Sequence, residues 1–265
     1  MSNLISCKVA DGVADVRLNR PDKLNGLTMD MLRGLASTAR ELRGDRSLRA
    51  VIISGEGESF CAGLDFASVS SSPSQIPLGM IPMPWRGTNA FQEACWAWRR
   101  VPAPVIAAVH GHCFGGGLQI AMAADFRMTT SDAKWSVLEG KWGLIPDMTG
   151  IRSLAEQIGM EAAKRLTMTA ETISGERAHE LGLAGTLSSD PRADARELAD
   201  QLALRSPDAV AAAKRLFNSR WNSSPRRTFA RERLEQVFLL ASRNAKVART
   251  AGLKKQVPVF GPRAH

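Results

Sequence analysis

Two short runs of apolar, largely β-branched residues constrain the fold more than any other feature of this sequence. The first extends from Leu48 to Ser54 and the second from Pro104 to His110, with a shorter run from Phe126 to Thr129. Such runs are typical of strands that are buried on both faces, which occur almost only in parallel sheets covered by helices. The sequence therefore predicts an α/β fold.

The chain before the first run predicts a hairpin and a helix. Polar and apolar residues alternate over 4–18 on either side of a turn at Asp11-Gly12, which predicts two antiparallel strands. Thr28 then occupies the position of an N-cap. An apolar stripe at helical spacing follows it as far as Gly44, so we predict a helix between these two residues.

The chain after Met148 changes character, because strand patterns nearly cease and short helical patterns follow one another. Asp190 and Pro191 open a longer helix with a capping residue and the favoured first helical residue. We therefore predict a β/α core over residues 1–190 and an all-helical portion over 191–265. The interval 67–88 is rich in Ser, Pro, Gly and Met and predicts a surface loop.

The composition is typical of a soluble globular protein, with 44% hydrophobic and 23% charged residues. No stretch approaches the roughly 20 apolar residues of a membrane span, and the N-terminus lacks a signal-peptide pattern. We therefore expect a cytoplasmic protein with no membrane partner. The four cysteines are widely spaced, which predicts buried thiols rather than a zinc site or disulfides.

The net charge is +9, and basic residues crowd the last fifth of the chain. A solvated helical surface explains most of these basic residues. The more specific interpretation is that they bind an anionic ligand or nucleic acid. The sequence contains no RNA-reading module and no basic stripe interleaved with aromatic residues, so we expect no nucleic-acid partner.

Two glycine-containing segments follow the two longer runs and are the main candidates for a functional site. One reads Ser-Phe-Cys-Ala-Gly-Leu-Asp over 59–65, and the other reads His-Gly-His-Cys-Phe-Gly-Gly-Gly over 110–117. Open β/α sheets bind ligands where strands end in loops. Glycines that open a helix permit close backbone approach and leave N–H groups unpaired, which suits a phosphate or an oxyanion. His110 and His112 have no third ligand at a suitable spacing, so they predict no metal site.

These segments resemble the motifs of the crotonase superfamily, which contains enoyl-CoA hydratases and isomerases. The resemblance covers nearly the whole chain and rests on Asn19-Arg20-Pro21, Asn25, the 59–65 and 110–117 segments and Leu144-Ile145-Pro146, in that order. It implies a crotonase-like spiral of ββα turns with a C-terminal helical trimerisation portion, in a homotrimer or hexamer. It also implies an acyl-CoA thioester substrate, with CoA as part of the substrate and no separate cofactor.

In that family two backbone N–H groups bind the thioester carbonyl oxygen, and the matching residues here are Leu64 and Gly116. An enolate places negative charge on this oxygen, and each preorganised donor stabilises it by roughly 3 kcal/mol. The resemblance implies substrate contacts for the neighbouring Ala62, Gly63, Asp65 and Gly115. It also implies that Lys23 and Lys254 bind CoA phosphates, the latter within the trimer.

The acid and base groups depart from the family pattern. Where hydratases carry the first of two glutamates, this chain has Gln119, which cannot exchange protons but can hold substrate or water. The second glutamate matches Glu139, near Trp135 and Trp142, and we predict a raised pKa and a catalytic role. Asp147 replaces the usual glycine after Ile-Pro. It resembles the second acid of dienoyl-CoA isomerases, although a helix N-cap is an equal interpretation.

Several functions are open at this point. We favour isomerisation of the double bond of an enoyl- or dienoyl-CoA, with Glu139 as acid and base. The alternative within the family is hydration of a 2-enoyl-CoA to a 3-hydroxyacyl-CoA, with Gln119 holding the water. Alternatives of another class are a basic RNA- or polyanion-binding protein and an inactive scaffold that retains the CoA site.

Overall fold

The computed structural model describes residues 4–70, 75–220 and 223–264, which form two sheets surrounded by helices. The strands are β1 (Ile5–Ala10), β2 (Val13–Leu18), β3 (Ala50–Gly55), β4 (Val105–Val109), β5 (His112–Phe114), β6 (Phe126–Thr129), β7 (Lys134–Ser136), β8 (Ile173–Ser174) and β9 (Thr186–Leu187). The helices are α1 (Met29–Gly44), α2 (Phe66–Ser70), α3 (Gln75–Met80), α4 (Ala90–Arg99), α5 (Gly116–Ala123), α6 (Gly150–Ile158), α7 (Met160–Thr169), α8 (Gly175–Glu180), α9 (Pro191–Ala203), α10 (Pro207–Arg220), α11 (Pro225–Ala241) and α12 (Arg243–Lys254). Short 3-10 turns occur at Pro21–Lys23 and Leu138–Trp142.

The main sheet has the strand order β1-β2-β3-β4-β6-β9, and the second has the order β5-β7-β8. The predicted hairpin β1–β2 is antiparallel, whereas β2, β3, β4, β6 and β9 pair in parallel. Every residue of β3 and β4 is buried, which confirms the interpretation of the two apolar runs. A parallel sheet of this kind needs a covering layer on both faces.

Different helices cover the two faces of the main sheet. Val51 and Ile53 of β3 face a large core that includes residues of α1, α4 and α5. Ile52 faces the opposite side, where Ala195 and Ala199 of α9 pack against it. Helix α9 belongs to the predicted helical portion 191–265, so that portion contributes to the core of the sheet. The division of the chain at residue 190 stays a prediction.

The parallel arrangement brings the two glycine-containing segments together at the carboxyl edge of the sheet. The N–H of Cys61 donates to the carbonyl oxygen of His112 at 2.8 Å, and the N–H of Phe114 donates to that of Cys61 at 2.9 Å. The segment after β3 and the segment after β4 are therefore hydrogen-bonded neighbours.

Some local predictions are confirmed and others are wrong. Thr28 caps α1 by accepting from the N–H of Met31, and Asp190 caps α9. The interval 67–88 was predicted as a loop, but α2 and α3 occupy part of it, and its residues 71–74 lie outside the described ones. Three cysteines are buried as predicted, whereas Cys7 is exposed on β1. No helix of the described residues is long and apolar enough to cross a membrane.

Candidate active site

The two predicted oxyanion donors lie on neighbouring backbone segments. Leu27 bonds to the residues on either side of Leu64. The N–H of Leu27 donates to the carbonyl oxygen of Gly63 at 2.7 Å, and the carbonyl oxygen of Leu27 accepts from the N–H of Asp65 at 3.0 Å. This pairing directs the N–H of Leu64 away from Leu27. Gly116 begins α5, where the first N–H groups have no intrahelical acceptor. Within the described ranges neither N–H has an acceptor, so both are available to a ligand oxygen.

Glycine is required where the two segments touch. Gly115 has φ 51° and ψ −118°, a conformation that residues with a Cβ rarely adopt. A Cβ on Gly117 would lie 2.5 Å from the Cβ of Cys61, and one on Gly63 would lie 3.0 Å from the carbonyl oxygen of Phe114. These contacts fix the beginning of α5 against the segment that carries Leu64. Ala62 belongs to the same segment and donates to the carbonyl of Leu24 at 2.9 Å.

Glu139 is held by a buried amide. Gln119 is 0% exposed, and its Nε2 donates to Oε1 of Glu139 at 2.6 Å. Its Oε1 accepts from the N–H of Gly150 at 2.9 Å, which fixes the orientation of the amide. A Cβ on Gly150 would lie 2.6 Å from this oxygen, so only glycine leaves room for the bond. Gln119 was predicted to contact substrate, and in the structure both ends of its amide bind protein groups.

The second oxygen of Glu139 faces a different environment. Oε2 is buried and has no hydrogen-bond partner among the described residues. Burial raises the pKa of Glu139, as predicted, and the charge of Asp147 adds to this rise, while the hydrogen bond from Gln119 opposes it. A Cβ on Gly115 would lie 3.3 Å from Oε1 of Glu139, so the carboxylate adjoins the segment that leads to Gly116. A carboxyl group with a raised pKa is therefore adjacent to the segment whose N–H groups are predicted to bind an oxyanion.

Asp147 is a second acid near Glu139. Its carboxyl is half-buried between the 3-10 turn of Leu138–Trp142 and α6, and burial raises its pKa. Helix α6 has Thr149 at its N-cap position and no capping side chain, so the N-cap interpretation of Asp147 is wrong. The charge of Asp147 influences the pKa of Glu139, which places two carboxyl groups with raised pKa values in one site.

An aromatic pair connects the two sides of the site. The ring centroids of Phe66 and Trp142 are 5.1 Å apart. Phe66 follows the segment that carries Leu64, and Trp142 ends the 3-10 turn that carries Glu139. Trp135, also predicted near Glu139, is buried in the core and donates from Nε1 to the hydroxyl of Thr129 at 3.0 Å.

Sequence reasoning missed the residues that support this geometry. Asp65 accepts from Arg20 at 2.7 Å and from the N–H of Ser68 at 3.1 Å, and its predicted substrate contact stays a prediction. Asn25 is fully buried and donates to the carbonyls of Glu56 and Ser59. Arg20 and Asn25 both belong to the motifs quoted from the sequence, but only the structure shows which groups they bond.

Other predicted residues lie outside this cluster. Lys23 is exposed at the end of the Pro21–Lys23 turn, and Lys254 is exposed at the end of α12. Their phosphate contacts stay predictions. His110 and His112 bond the carbonyl of Gly57 and the hydroxyl of Ser59, which is a structural role. The described part of the chain contains no group of three or more metal-binding side chains.

Comparison with known proteins identifies a family that matches nearly the whole chain. The family model for enoyl-CoA hydratase/isomerase matches residues 8–261. A short-chain-enoyl-CoA hydratase of Clostridium acetobutylicum is 33% identical over 211 residues, which are 78% of this chain and 77% of the relative. A mitochondrial Delta(3,5)-Delta(2,4)-dienoyl-CoA isomerase of Dictyostelium discoideum is 28% identical, over 94% of this chain and 87% of the relative.

A solved structure confirms the predicted fold. The crystal structure of enoyl-CoA hydratase from Bacillus anthracis matches with a TM-score of 0.89 and 26% identity, over 97% of this chain and 99% of that one. The crotonase-like architecture is therefore shown, while trimerisation stays a prediction. On this fold, these motifs and these relatives, the chain belongs to the enoyl-CoA hydratase/isomerase family.

Proposed function

We propose that this enzyme moves the double bond of an enoyl-CoA or dienoyl-CoA thioester, with Glu139 as the group that carries the proton. The observation that carries the proposal is the amide of Gln119, held between the N–H of Gly150 and the carboxylate of Glu139. It replaces one acid of a two-glutamate site by a group that cannot exchange protons. One base then remains beside the oxyanion donors, with Asp147 as the second carboxyl.

The geometry suggests a simple sequence of proton transfers. The thioester carbonyl oxygen accepts hydrogen bonds from the N–H groups of Leu64 and Gly116. The free Oε2 of Glu139 removes a proton from C2 of a 3-enoyl-CoA, and the electron pair moves onto the carbonyl oxygen as a dienolate. Glu139 then returns the proton at C4, which places the double bond between C2 and C3.

Asp147 extends this chemistry to a conjugated substrate. A 3,5-dienoyl thioester carries its reactive carbons further from the carbonyl, so proton return needs an acid at a distance from Glu139. The carboxyl of Asp147 is half-buried and its raised pKa favours the protonated form. A dienoyl-CoA is therefore the substrate that would use both carboxyl groups.

Hydration is the alternative, and the names of relatives support it because several are enoyl-CoA hydratases. Water addition requires a water molecule that is held and deprotonated between two polar groups. Gln119 can offer only its second amide hydrogen for this purpose, since the first binds Glu139. We therefore expect hydration to be the slower reaction.

Product analysis tests the proposal. Purified protein is incubated with a 3-enoyl-CoA, a 3,5-dienoyl-CoA and a 2-enoyl-CoA in separate reactions, and products are identified by liquid chromatography and mass spectrometry. We expect bond migration in the first two and little water addition in the third. Rapid conversion of the 2-enoyl-CoA to a 3-hydroxyacyl-CoA without bond migration in the others would show that the enzyme is a hydratase. Activity on none of them would exclude both reactions.

We also propose that the enzyme acts as a homotrimer or hexamer. Helix α11 carries several large apolar side chains that are 44–64% exposed in the single chain, namely Phe229, Leu234, Val237, Phe238 and Leu240. An apolar surface of this kind is typical of protein–protein contacts. Light scattering on the eluted protein should give three or six times the 28.7 kDa chain mass, and a monomer would contradict the proposal.

A further inference from the structure

Met148 lies against the start of α5, beside one of the two N–H groups proposed to bind the thioester oxygen. A Cβ on Gly116 would lie 2.9 Å from the Sδ of Met148 and 2.9 Å from the Cδ1 of Leu27. Met148 is 4% exposed and Leu27 is 0% exposed. These two buried side chains adjoin the Cα of Gly116, and we name them the apolar wall.

The backbone around Met148 is closely packed. Met148 is the middle residue of a turn over 147–149. Immediately after this turn, the N–H of Gly150 donates to Oε1 of Gln119 at 2.9 Å. A Cβ on Gly150 would lie only 2.7 Å from the Cβ of Pro146, so the two ends of the turn are close together. This packing holds the turn in place, and the side chain of Met148 is buried in the large core.

The position of Met148 matters for C2 of the substrate. In the proposed function the N–H of Gly116 donates to the thioester oxygen, and C2 is bonded to the carbon that carries this oxygen. C2 therefore lies within roughly 5 Å of the backbone nitrogen of Gly116, given an ordinary hydrogen-bond length. The first N–H groups of a helix and its Cα–Cβ bonds both point toward the N-terminus, so Sδ of Met148 and the bound oxygen lie at the same end of α5.

Glu139 approaches the start of α5 at a different residue. A Cβ on Gly115 would lie 3.3 Å from Oε1 of Glu139, whereas the apolar wall adjoins Gly116. C2 of a 3-enoyl thioester carries two hydrogens, and the one that faces Glu139 is removed in the proposed reaction. The remaining substituent on C2 then faces away from Glu139, toward the apolar wall. A hydrogen fits there, but a methyl group needs volume that the side chain of Met148 already fills.

We propose that Met148 determines specificity by restricting the substrate to thioesters that carry no branch at C2. The inference rests on the proposed function for one point, namely the binding of the thioester oxygen by the N–H groups of Leu64 and Gly116. Methionine is flexible enough to give way in part, so the branched thioester reacts slowly rather than not at all.

The test is a competition between two isomeric substrates. The enzyme in its native assembly receives an equimolar mixture of 3-hexenoyl-CoA and racemic 2-methyl-3-pentenoyl-CoA, which contain the same atoms and differ in whether one carbon is at the end of the chain or on C2. Chromatography separates the products, and the ratio of their initial rates of formation equals the ratio of the two kcat/KM values. A mixture of isomers removes differences in enzyme concentration and in the fraction of active protein.

The variants are Met148→Ala, which opens the apolar wall, and Met148→Leu, which conserves its volume. The control is Met128→Ala, because Met128 is also buried, at 6% exposed, but belongs to the core on the other face of the main sheet, beside α9. We expect the wild type, Met148→Leu and Met128→Ala to favour the straight isomer by at least about tenfold, a discrimination that one methylene group produces in an apolar pocket. Met148→Ala should lower this preference by at least about fivefold.

A wild type that uses both isomers equally, or a folded Met148→Ala enzyme with an unchanged preference, would overturn the inference. Met148→Val takes the place of Met148→Ala where the latter does not fold. An equal loss of preference in Met128→Ala would indicate a general loosening of the core and would also overturn it.

Failure of the proposed function gives a different result, because an enzyme that only adds water leaves both 3-enoyl thioesters unchanged. The comparison is then made with 2-hexenoyl-CoA and 2-methyl-2-pentenoyl-CoA. A preference of the wild type for the straight isomer that only Met148→Ala loses would still support the role of Met148. Activity on none of the four thioesters would overturn the inference together with the proposed function.

Discussion

The contact between Gly117 and Cys61 gives a quantitative prediction, because it sets the separation of the N–H groups of Leu64 and Gly116, the proposed oxyanion donors. A Cβ on Gly117 would lie 2.5 Å from that of Cys61. Non-bonded carbon atoms are stable at about 3.5 Å, so Gly117→Ala requires a movement of about 1 Å. Overpacking of this kind costs about 1–3 kcal/mol of stability. A shift of about 1 Å in a catalytic group costs about 10²-fold in rate.

The assay compares kcat and KM of Gly117→Ala with those of the wild type on the preferred thioester, together with Tm. We expect kcat and kcat/KM to fall about 10²-fold with little change in KM, because the donors act mainly on the enolate. The control is Gly252→Ala in α12, where an added Cβ meets nothing within 4 Å. A Gly117→Ala enzyme with unchanged kcat/KM would refute the account of how the donors are placed.

Three further predictions concern the acids and their supports. Glu139 acts when ionised, so kcat/KM falls as pH drops through its raised pKa. Asp147→Asn removes a charge that raises this pKa and should move the acid limb of the pH profile to lower pH, whereas Gln119→Met removes a hydrogen bond that lowers it and should move the limb to higher pH. Identical pH profiles for the wild type and both variants would contradict both roles. Gln119→Glu places two carboxyl groups at about the present 2.6 Å spacing, so they share a proton. The rate of water addition to a 2-enoyl-CoA should rise about 10²-fold, and no gain in this rate would contradict the role given to the amide. Asp65→Asn weakens the partner of Arg20 and should lower stability by about 1–2 kcal/mol in urea unfolding, whereas a neutral result would show that this pair is dispensable.

The features that sequence predicted are those set by local patterns. The apolar runs of β3 and β4 are buried on both faces, and the caps at Thr28 and Asp190 form with partners only two or three residues away. The family resemblance predicts backbone donors at Leu64 and Gly116 from motif spacing, and both N–H groups lack an acceptor within the described ranges, while their catalytic role stays a prediction.

The features that sequence could not predict depend on partners that the fold brings together. The bond from Gly150 to Gln119 joins residues 31 positions apart, and it orients the amide that donates to Glu139. The ion pair between Arg20 and Asp65 spans 45 positions. The N-cap interpretation of Asp147 failed because Thr149 occupies that position two residues later.

Deuterium incorporation tests the central claim most directly, namely that Glu139 removes a proton from C2 of the thioester, exchanges it with solvent, and returns a proton at C4. Wild-type enzyme, Glu139→Gln and Asp147→Asn are each incubated with a 3-enoyl-CoA in D2O, and the product is examined by mass spectrometry. The account predicts a 2-enoyl-CoA that contains deuterium with the wild type and with Asp147→Asn, and no product with Glu139→Gln. Full activity of Glu139→Gln, or addition of water without bond migration by the wild type, would contradict it.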